Sequence, residues 1–598
     1  MRDARLLRVL AVLFAFTLVA AACGDDDADE AADDPGQVAD DGSGDAVDSD
    51  DAADSDDAAD AADAADADEP ADASDTADTG DAAATDGAAD VADAAPAPSG
   101  TFVFAVNQEP QDLAAQGTYK EINAPGLRNV VETLIAVDPD GTTVPVLAES
   151  WDVIDDSTIR FTIRDGVSFH DGTALNAESA AFAVNWVWSA DNAFTIQEFA
   201  GPGEITASVV DDSTIEVVSS VPDPLLEWRM TLGGITSMEQ IENDPAAHFN
   251  HPIGTGPYVF DEWAVGQYWT ANINMDWWGW TADDVYGDTL PMFERLEFIF
   301  RAEDAVRSAT ALTGEAQLAM FPSGEECAAA GDGVTCIAGP SDTYLYGRLD
   351  HSLFSIPALM DPRVREAVFT AIDVEGLVGL VGLASVPQGQ LGAAGQVGFN
   401  DSLSAYPYDP DRARALIEEA RADGVDVDAV NIEVVGRDTT PRISSIVEAI
   451  GGFLSEAGIN NSVAVQVPDL FNPRVRIQGY ADEAPRQMMQ VHVRGNPSGD
   501  FGLTLQANYA CPSLDDPTGP SRSSVYCNEQ FDADLAAASA MTGQARADAL
   551  ADLVEFVHNE HLIVPLALVD RAYLVDDDYT FRFGVDHRIL VVYISPAS

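Results

Sequence analysis

The amino-acid composition of this chain changes abruptly near residue 100, and only the part after that point can build a hydrophobic core. Residues 25–98 consist almost wholly of Asp, Ala, Gly, Ser and Thr, with 28 acidic side chains and no Lys or Arg. Such a segment buries too little apolar surface to offset its ordering entropy, and its charges repel one another. We therefore expect a disordered, extended acidic linker at residues 23–99, followed by the folded part of the chain.

The residues before the acidic tract predict export. Basic side chains near the start precede an apolar run at residues 9–22. This run is short for a membrane span, which needs about 20 residues, but it fits the core of a secretory signal peptide at residues 1–22. Small residues then lead into Cys23, a pattern that resembles a bacterial lipobox and implies acylation of the Cys23 thiol, although Ala20 stands where Leu is more common. The alternative is an ordinary signal peptide with a chance cysteine.

The folded part is also strongly acidic. From Gly100 onward it carries 74 acidic and 25 basic side chains, and Lys120 is the only lysine of the chain. A body with a formal charge near −49 repels nucleic acids and anionic membrane surfaces. We therefore expect neither of them as a partner.

Four further cysteines form two local pairs. Cys327 and Cys336 are nine residues apart, and Cys511 and Cys527 are sixteen apart. Because exported proteins meet oxidising conditions, we expect two disulfides that close surface loops. A four-cysteine zinc site is the alternative, but the close C-x2-C pairs typical of such sites are missing from the sequence.

Hydrophobic periodicity predicts a mixed α/β fold. Strand-like segments lie at residues 101–106, 144–151, 159–163, 206–210, 214–218, 432–435, 463–467 and 562–568. Helix-like segments lie at residues 177–188, 364–371, 412–422, 443–457 and 533–558. Asn176 is the predicted N-cap of the first helix. The strand–helix–strand order between residues 432 and 467 predicts parallel strands covered by a helix.

Several sequence blocks are more specific than periodicity. Leu147–Trp151 reads L-A-E-S-W, and residues 161–173 read F-T-I-R-D-G-V-S-F-H-D-G-T. The other blocks, in chain order, are Val131–Leu134, Gly254–Tyr258, Asn274–Gly279, Asp361–Ala367, Ala371–Asp373 and Tyr408–Ala413. In this order the blocks resemble family 5 of the extracellular solute-binding proteins, which are the oligopeptide, dipeptide and nickel receptors of ABC importers. The resemblance covers essentially all of residues 101–598.

The resemblance implies an α/β fold of the type II periplasmic-binding-protein class, a two-lobed clamshell with an extra subdomain. Residues 101–345 would form lobe one with the embedded subdomain, residues 346–570 lobe two, and residues 571–598 a β-rich return to lobe one. Trp277 and Trp278 lie in one of the blocks. We expect their rings to pack into the core and so fix the position of a turn; the alternative is that they stack on a ligand.

The resemblance also implies a function. The protein would be a lipid-anchored monomer on the outer face of the cytoplasmic membrane, bind a peptide or another small polar solute by hinge closure, and deliver it to ABC permease subunits. Such binding needs no nucleophile or general base, so we expect no enzymatic activity. We also expect no metal or cofactor, and the alternative is nickel or haem, which the resemblance to the wider family leaves open. The alternatives are a secreted metal-dependent hydrolase and a ligand receptor that signals to a membrane sensor.

The candidate ligand-binding residues follow from the same resemblance. Peptide-binding members place an Asp of lobe two against the amino terminus of the ligand. The matching segment of this chain departs from that pattern, which argues against a peptide amine and favours an anionic or neutral polar group near Arg494 or Asn496; the alternative for Arg494 is a surface ion pair. The full set of candidates is Tyr119 and Lys120 in lobe one, Tyr344, Tyr346 and Arg348 near the expected hinge, and Arg494, Asn496 and Asp500 in lobe two.

The hydrolase alternative has little support in the histidine spacing. Residues 558–561 read H-N-E-H, whereas a zinc-protease helix needs H-E-x-x-H to bring both histidines onto one face. His248 and His251 are three residues apart, with no evident acidic or cysteine partner. We expect both histidine pairs to be surface or capping residues.

Overall fold

The computed structural model describes residues 97–597, apart from residues 120–124, 193, 200, 202, 283–288, 340, 352–353, 382–384, 516–519 and 585–587. The predicted signal peptide, Cys23 and almost all of the acidic linker lie outside these residues. None of the helices in the described part of the chain combines the length and apolar character that a membrane crossing requires.

Strands and helices alternate along the described residues. The strands are β1 (Thr101–Val106), β2 (Ile135–Val137), β3 (Thr143–Pro145), β4 (Ala148–Asp155), β5 (Thr158–Ile163), β6 (Ile205–Val209), β7 (Thr214–Ser219), β8 (Tyr258–Ala264), β9 (Tyr268–Ile273), β10 (Arg295–Phe300), β11 (Leu318–Met320), β12 (Val334–Gly339), β13 (Thr343–Leu349), β14 (Val386–Pro387), β15 (Ile432–Arg437), β16 (Asn461–Gln466), β17 (Met488–Gly495), β18 (Ile563–Leu568), β19 (Arg571–Asp576), β20 (Tyr579–Phe581) and β21 (Ile594–Pro596). The helices are α1 (Ala177–Trp188), α2 (Leu226–Arg229), α3 (Met238–Asn243), α4 (Asp304–Leu312), α5 (Gly324–Ala329), α6 (Pro357–Met360), α7 (Pro362–Thr370), α8 (Val374–Val381), α9 (Pro410–Ala422), α10 (Ile443–Glu456), α11 (Pro468–Arg474), α12 (Ile477–Glu483), α13 (Phe501–Tyr509), α14 (Glu529–Ser539) and α15 (Gly543–Asn559).

Three sheets organise these elements. A seven-stranded sheet has the order β12-β19-β11-β1-β10-β9-β8, a six-stranded sheet the order β14-β18-β13-β17-β15-β16, and a four-stranded sheet the order β4-β5-β7-β6. Two-stranded ladders pair β2 with β3 and β20 with β21. The mixture of parallel and antiparallel strands with covering helices confirms the predicted α/β class.

The seven-stranded sheet is built around β1, as its apolar sequence predicts. β1 pairs in parallel with both β10 and β11. The ring of Phe104 stacks on Phe298 with centroids 4.5 Å apart, and Phe298 stacks on Trp269 at 4.3 Å. All three side chains are fully buried, so the aromatic stack joins three neighbouring strands of one core.

The four-stranded sheet and α1 confirm two local predictions. β4 and β5 form the predicted antiparallel hairpin, with residues 156–157 at its turn. Helix α1 spans the predicted residues, and the side chain of Asn176 accepts a hydrogen bond from the backbone of Ser179 at 3.0 Å. Ser179 in turn accepts a hydrogen bond from the backbone of Asn176, which completes a capping box.

The six-stranded sheet contains the predicted parallel unit. β15 and β16 are parallel and joined by α10, whose buried side chains include Ile446, Ile450 and Leu454. β17 lies on the other side of β15 and is also parallel to it. A covering helix removes one face of such a sheet from water, because the crossover connection must return over that face.

The chain crosses between the two large sheets twice. It passes from β12 to β13 and returns from β18 to β19. The crossings are tied together, since the Ser341 hydroxyl donates to the Val569 carbonyl at 2.5 Å and Arg571 Nη2 donates to the Thr343 hydroxyl at 2.7 Å. The predicted β-rich segment after residue 570 thus enters the seven-stranded sheet through β19.

Some sequence predictions need correction. The predicted helix at residues 533–558 is two helices, α14 and α15, which are separated by a short non-helical connection at residues 540–542. His248, expected at the surface, is fully buried, since the Ala115 backbone, Thr236 and Gln116 surround its ring with hydrogen-bonding groups. Both predicted disulfides are confirmed, Cys327–Cys336 and Cys511–Cys527.

Candidate functional site

One face of β13 carries polar side chains that are buried. Because side chains of a strand alternate between faces, Tyr344, Tyr346 and Arg348 lie on one side, while Leu345 and Leu349 enter an apolar core on the other. The exposed fraction of Arg348 is only 1 %. A run of this kind is unusual, since a charged side chain is rarely so deeply buried unless it is paired.

The neighbouring strand β17 extends the same polar surface. In the antiparallel register, Arg494 lies opposite Tyr344, His492 opposite Tyr346, and Gln490 opposite Arg348. Directly opposite residues share a face of the sheet. We call these six side chains the polar face; its members are Tyr344, Tyr346, Arg348, Gln490, His492 and Arg494.

Helices α11, α12 and α13 cover the polar face. Phe471 of α11 packs edge-on against His492 at 5.3 Å. Tyr480 of α12 and Tyr509 of α13 are both buried, and Tyr509 is close enough to Arg348 for its charge to influence the pKa of the phenol. Tyr344, Tyr346, Arg348 and Gln490 of the polar face are therefore interior, whereas His492 and Arg494 remain partly exposed.

Arg348 is held by one contact and has two unpartnered nitrogens. Its Nη2 donates to the Tyr480 hydroxyl at 2.6 Å, and that hydroxyl donates to the Val475 carbonyl at 2.8 Å. Within the described part of the chain, Nε and Nη1 of Arg348 have no hydrogen-bond partner, and neither does Oε1 of the fully buried Gln490 on the strand opposite. Buried polar atoms normally find a partner, so these three atoms are exceptions among the described residues.

His492 is a neutral hydrogen-bonding link in this surface. Its Nδ1 lies 3.0 Å from the Val493 carbonyl, which can only accept, so Nδ1 carries the proton and donates. The Tyr346 hydroxyl then donates to Nε2 at 2.7 Å. Burial, together with the positive charges of Arg437, Arg348 and other arginines, holds the pKa of His492 well below its usual value.

Asp500 and Asn496 make contacts within the protein. Asp500 caps α13 through the backbone of Gly502 at 2.7 Å and pairs with Arg546 through two hydrogen bonds of 2.7 and 2.9 Å. Asn496 donates to the Asp500 carbonyl at 3.2 Å and accepts from the Ser498 hydroxyl at 2.7 Å. These contacts shape the turn between β17 and α13.

The other predicted site residues are distributed differently. Arg494 is only partly buried, at the end of β17 beside Tyr344, and burial raises the pKa of the Tyr344 phenol to about 12. Tyr119 is the last residue of a short 3-10 helix, and its side chain and Lys120 lie outside the described residues. Trp277 and Trp278 both donate to the buried carboxylate of Glu132, at 3.2 and 2.8 Å.

A cavity of about 50 Å³ lies beside the crossings. Each large sheet contains three parallel strands, β1, β10 and β11 in one and β15, β16 and β17 in the other. The crossings connect the sheet edges at which the carboxyl ends of these strands lie. Ligands of α/β proteins bind at such carboxyl edges. The lining includes Asn107, Phe321 and Arg571 from the seven-stranded side, and Leu345, Arg442 and Val493 from the six-stranded side. Oδ1 of Asn107 is buried and has no hydrogen-bond partner among the residues that the structure describes.

The two sides also meet at α13. Leu503 of this helix packs into the core of the seven-stranded sheet, whereas Phe501 and Leu505 pack with Tyr344 and Tyr346. Nearby, the Trp228 indole of α2 donates to the Pro497 carbonyl at 3.1 Å. Elements of both sides therefore enclose the region next to the polar face.

Sequence reasoning missed part of this site. Gln490 and His492 alternate with Val491 and Val493 in β17, and this period of two in an otherwise apolar strand was a usable signal. Tyr480 carried no comparable signal, because only the packing of α12 brings it to Arg348. Among the described residues, no group of three or more His, Cys, Asp or Glu side chains is arranged to hold a metal ion.

Comparison with known proteins gives consistent results. The family model "Bacterial extracellular solute-binding proteins, family 5 Middle" matches residues 142–509. The dipeptide-binding protein of Escherichia coli strain K12 is 26 % identical over 57 % of this chain and 66 % of its own length. Di/tripeptide-binding protein 4 of Pseudomonas aeruginosa strain UCBPP-PA14 is 26 % identical over 73 % of this chain and 84 % of its own length.

A solved structure supports the fold. The ABC transporter-associated periplasmic binding protein DppA from Helicobacter pylori, in complex with the peptide STSA, superposes with a TM-score of 0.69 at 17 % identity. The superposition covers 84 % of this chain and 99 % of that protein. The described fold is therefore that of a type II periplasmic binding protein.

Proposed function

Because this chain belongs to family 5 of the bacterial extracellular solute-binding proteins, we propose that it captures a small polar solute outside the cytoplasm and delivers it to the permease of an ABC importer. Curated relatives that bind dipeptides and tripeptides make a peptide one candidate solute. Binding and release require no covalent step, so the protein acts without catalysis.

The observation that carries this proposal is the polar face. It presents unpartnered hydrogen-bonding atoms of Arg348 and Gln490 in a closed interior, and α13 beside it packs with both large sheets. A solute pocket needs a few fixed polar groups inside a mostly apolar enclosure. Arg348, Tyr346 and Gln490 fit this role, and Asp500 and Asn496 support the turn beside them.

The crossings provide the hinge in this proposal. Lobe one consists of the seven-stranded and four-stranded sheets, lobe two of the six-stranded sheet, with the boundaries at the β12–β13 and β18–β19 connections. Two short connections permit the lobes to rotate as rigid bodies. Contacts such as Trp228 to Pro497 would form on closure and break on opening.

The N-terminal part of the proposal concerns location. Cys23 would be acylated and anchor the protein to the outer face of the cytoplasmic membrane, with residues 23–99 as the extended linker. Fractionation of cells that express the Cys23→Ser variant tests this anchor. Recovery of that variant with the membranes, as for wild type, would remove the anchor from the proposal.

Native mass spectrometry and X-ray scattering test the function. We expect the purified protein to retain a small solute, and we expect the radius of gyration to fall when that solute is returned to protein stripped of it. An Arg160→Gln variant, altered at an exposed residue of β5, should behave as wild type. Chemical conversion of the solute, or an unchanged radius across a screen of peptides and other polar solutes, would contradict the proposal.

A further inference from the structure

Strand β16 forms one edge of the six-stranded sheet, and among the described residues its outer side pairs with no other strand. It is parallel to β15, its one neighbour in the sheet. The carbonyl of Asn460 accepts from the Ile432 backbone at 2.9 Å, and that of Gln466 accepts from the Asp438 backbone at 3.0 Å. Because backbone groups of successive residues point to opposite sides of a strand, those of the alternate residues face outward. These residues are Asn461, Val463 and Val465.

The side chains of this edge are uncharged. Residues 460–467 read N-N-S-V-A-V-Q-V. Val463, Val465 and Val467 lie on one face of the sheet and are 43, 40 and 49 % exposed. An exposed edge strand rich in β-branched residues and free of charges is a ready template for pairing with another chain.

The outer strands of the other two sheets carry charges and irregularities. At one edge of the four-stranded sheet, β4 contains Glu149, Asp152 and Asp155. At one edge of the seven-stranded sheet, β8 contains Asp261 and Glu262, and its register shifts at this point. Charged side chains and bulges protect an edge strand from pairing with other chains.

The remaining edges of these sheets are protected in other ways. In β6, the side chain of Asn185 accepts from the Ala207 N–H and donates to the Ala207 carbonyl, both at 2.8 Å. β12 is joined to α5 by the Cys327–Cys336 disulfide, and β14 has only two residues. Within the described part of the chain, β16 has none of these protecting features.

Helix α10 leaves space beside the exposed valines. It approaches β16 so closely at Gly451 that a Cβ atom there would lie 2.6 Å from Cγ1 of Val463. The next residue, Gly452, is exposed, and a Cβ atom there would meet no atom of a neighbouring segment within 4 Å. Glycine destabilises the interior of a helix relative to alanine, so packing within the chain does not account for Gly452. The surface beside β16 therefore has room for the side chains of an added strand.

We propose that β16 pairs in antiparallel orientation with β16 of a second copy of this chain, so that the two six-stranded sheets join into one. Charge favours this partner. A basic strand is complementary to an acidic edge such as β4, whereas β16 offers only neutral side chains and fits a neutral surface. Two copies of so acidic a protein repel each other, and β16 is an edge at which they meet without opposing like charges.

The strand is self-complementary about a twofold axis at Ala464. In this register Val463 lies opposite Val465 of the second copy, and their outward backbone groups exchange hydrogen bonds. The two Ala464 residues form a pair that is not hydrogen-bonded, with Cα atoms about 4.5 Å apart. Such an edge contact is smaller than a permanent interface, so we expect a reversible dimer. Because β15 and β17 separate β16 from β13 and β18, the pairing leaves the crossings free.

Sedimentation velocity tests the pairing. The purified chain carries Cys23→Ser, so that an acyl group does not cause association. We expect a reversible dimer that becomes tighter as salt screens the repulsion between the acidic copies. Val465→Lys should weaken the dimer at least tenfold, because a charge on a paired edge loses its water. Val153→Lys, at a 59 % exposed residue of β4, adds the same charge and should leave the dimer unchanged.

A second variant separates edge pairing from the effect of charge. Val465→Pro removes an outward N–H, which an edge strand tolerates, and it should also weaken the dimer at least tenfold. The unfolding temperatures of both Val465 variants verify that they fold. A monomer at every protein and salt concentration, or a dimer that neither Val465 variant weakens, would overturn the inference.

Oxidative cross-linking tests the register. Ala464→Cys should form a disulfide between two copies, because the expected separation of about 4.5 Å lies within the range of Cα distances that a disulfide bridges. Ser462→Cys should not, because its counterpart lies four residues along the strand, about 13 Å away. Equal cross-linking of the two variants would overturn the twofold register.

The inference goes beyond the proposed function and departs from the monomer that the family resemblance implies. A protein that binds its solute but never dimerises would sustain the function and refute the pairing. Binding of a synthetic peptide of alternating Lys and Val by a monomeric protein, if lost in Val465→Pro, would assign β16 to a basic partner strand and would refute the pairing as well.

Discussion

Two buried arginines of the same half of the molecule have different surroundings. Arg546 is paired with Asp500 through two hydrogen bonds, and its remaining donors reach the carbonyls of Ala538 and Ser539. Arg348 is also buried, but among the described residues its guanidinium donates a hydrogen bond only to Tyr480, through one nitrogen. The guanidinium of Arg546 is thus satisfied by the protein itself, whereas two nitrogens of Arg348 have no hydrogen-bond partner in the described part of the chain.

The Asp500–Arg546 pair gives a prediction about stability. Asp500→Asn should lower the free energy of unfolding by about 3–5 kcal/mol, because it leaves a buried guanidinium without its carboxylate. Arg160→Gln, which removes an exposed ion pair with Glu216, should cost at most about 1 kcal/mol. Urea unfolding of both variants measures the difference. Equal losses would show that Asp500 is not a structural anchor.

Elements differ in how far their sequences predict them. α1 begins after its predicted cap and spans the predicted residues, because its boundary is set by local bonds between Asn176 and Ser179. The helical pattern after residue 532 extends through residues 540–542, where the chain turns between α14 and α15. Apolar periodicity does not reveal this turn, since both helices keep a buried face.

The disulfide between α13 and α14 gives a prediction at the scale of elements. Replacing Cys511 and Cys527 by Ser should cost about 3 kcal/mol in unfolding free energy, because the unfolded chain regains the entropy of a 16-residue loop. Cys327 and Cys336 are only nine residues apart. Replacing this pair by Ser should lower the free energy of unfolding by about 0.5 kcal/mol less than replacing the other pair, because the loop is shorter. Denaturant titrations of the two double variants test the order, and a larger loss from the shorter loop would contradict it.

At the scale of the whole molecule, the two crossings set the geometry of the cavity between the large sheets. They bring the carboxyl edges of two sheets together, so that residues more than 200 positions apart, such as Asn107 and Arg571, line one cavity. Each sheet has its own apolar core.

Buried histidines make the stability of the whole molecule depend on pH. Burial holds the pKa of His248 at about 4 and that of His351 at about 3, below the value of about 6.5 in the unfolded chain. The unfolded state therefore binds more protons as the pH falls below about 6.5, and stability is lost. Protonation of each of these histidines in the unfolded state should lower the free energy of unfolding by about 2 kcal/mol at pH 5.

Unfolding at pH 7 and pH 5 tests this dependence. In His248→Gln, the decrease in the free energy of unfolding between pH 7 and pH 5 should be smaller than in wild type by about 2 kcal/mol. His251→Gln, at an exposed residue only three positions away, should keep the wild-type loss. An unchanged loss in His248→Gln would mean that this histidine gains its proton in the folded state as well.

The sequence by itself determined the α/β class, the disulfide pairs and the family, because these depend on periodicity, local spacing and ordered motifs. It also placed Tyr344, Tyr346 and Arg348 among the candidate residues. Only the tertiary structure decided that Asp500 is paired with Arg546 while Arg348 is not. A side chain's partner is fixed by packing between distant segments, here α12, β13 and β17, and one-dimensional patterns carry no record of that packing.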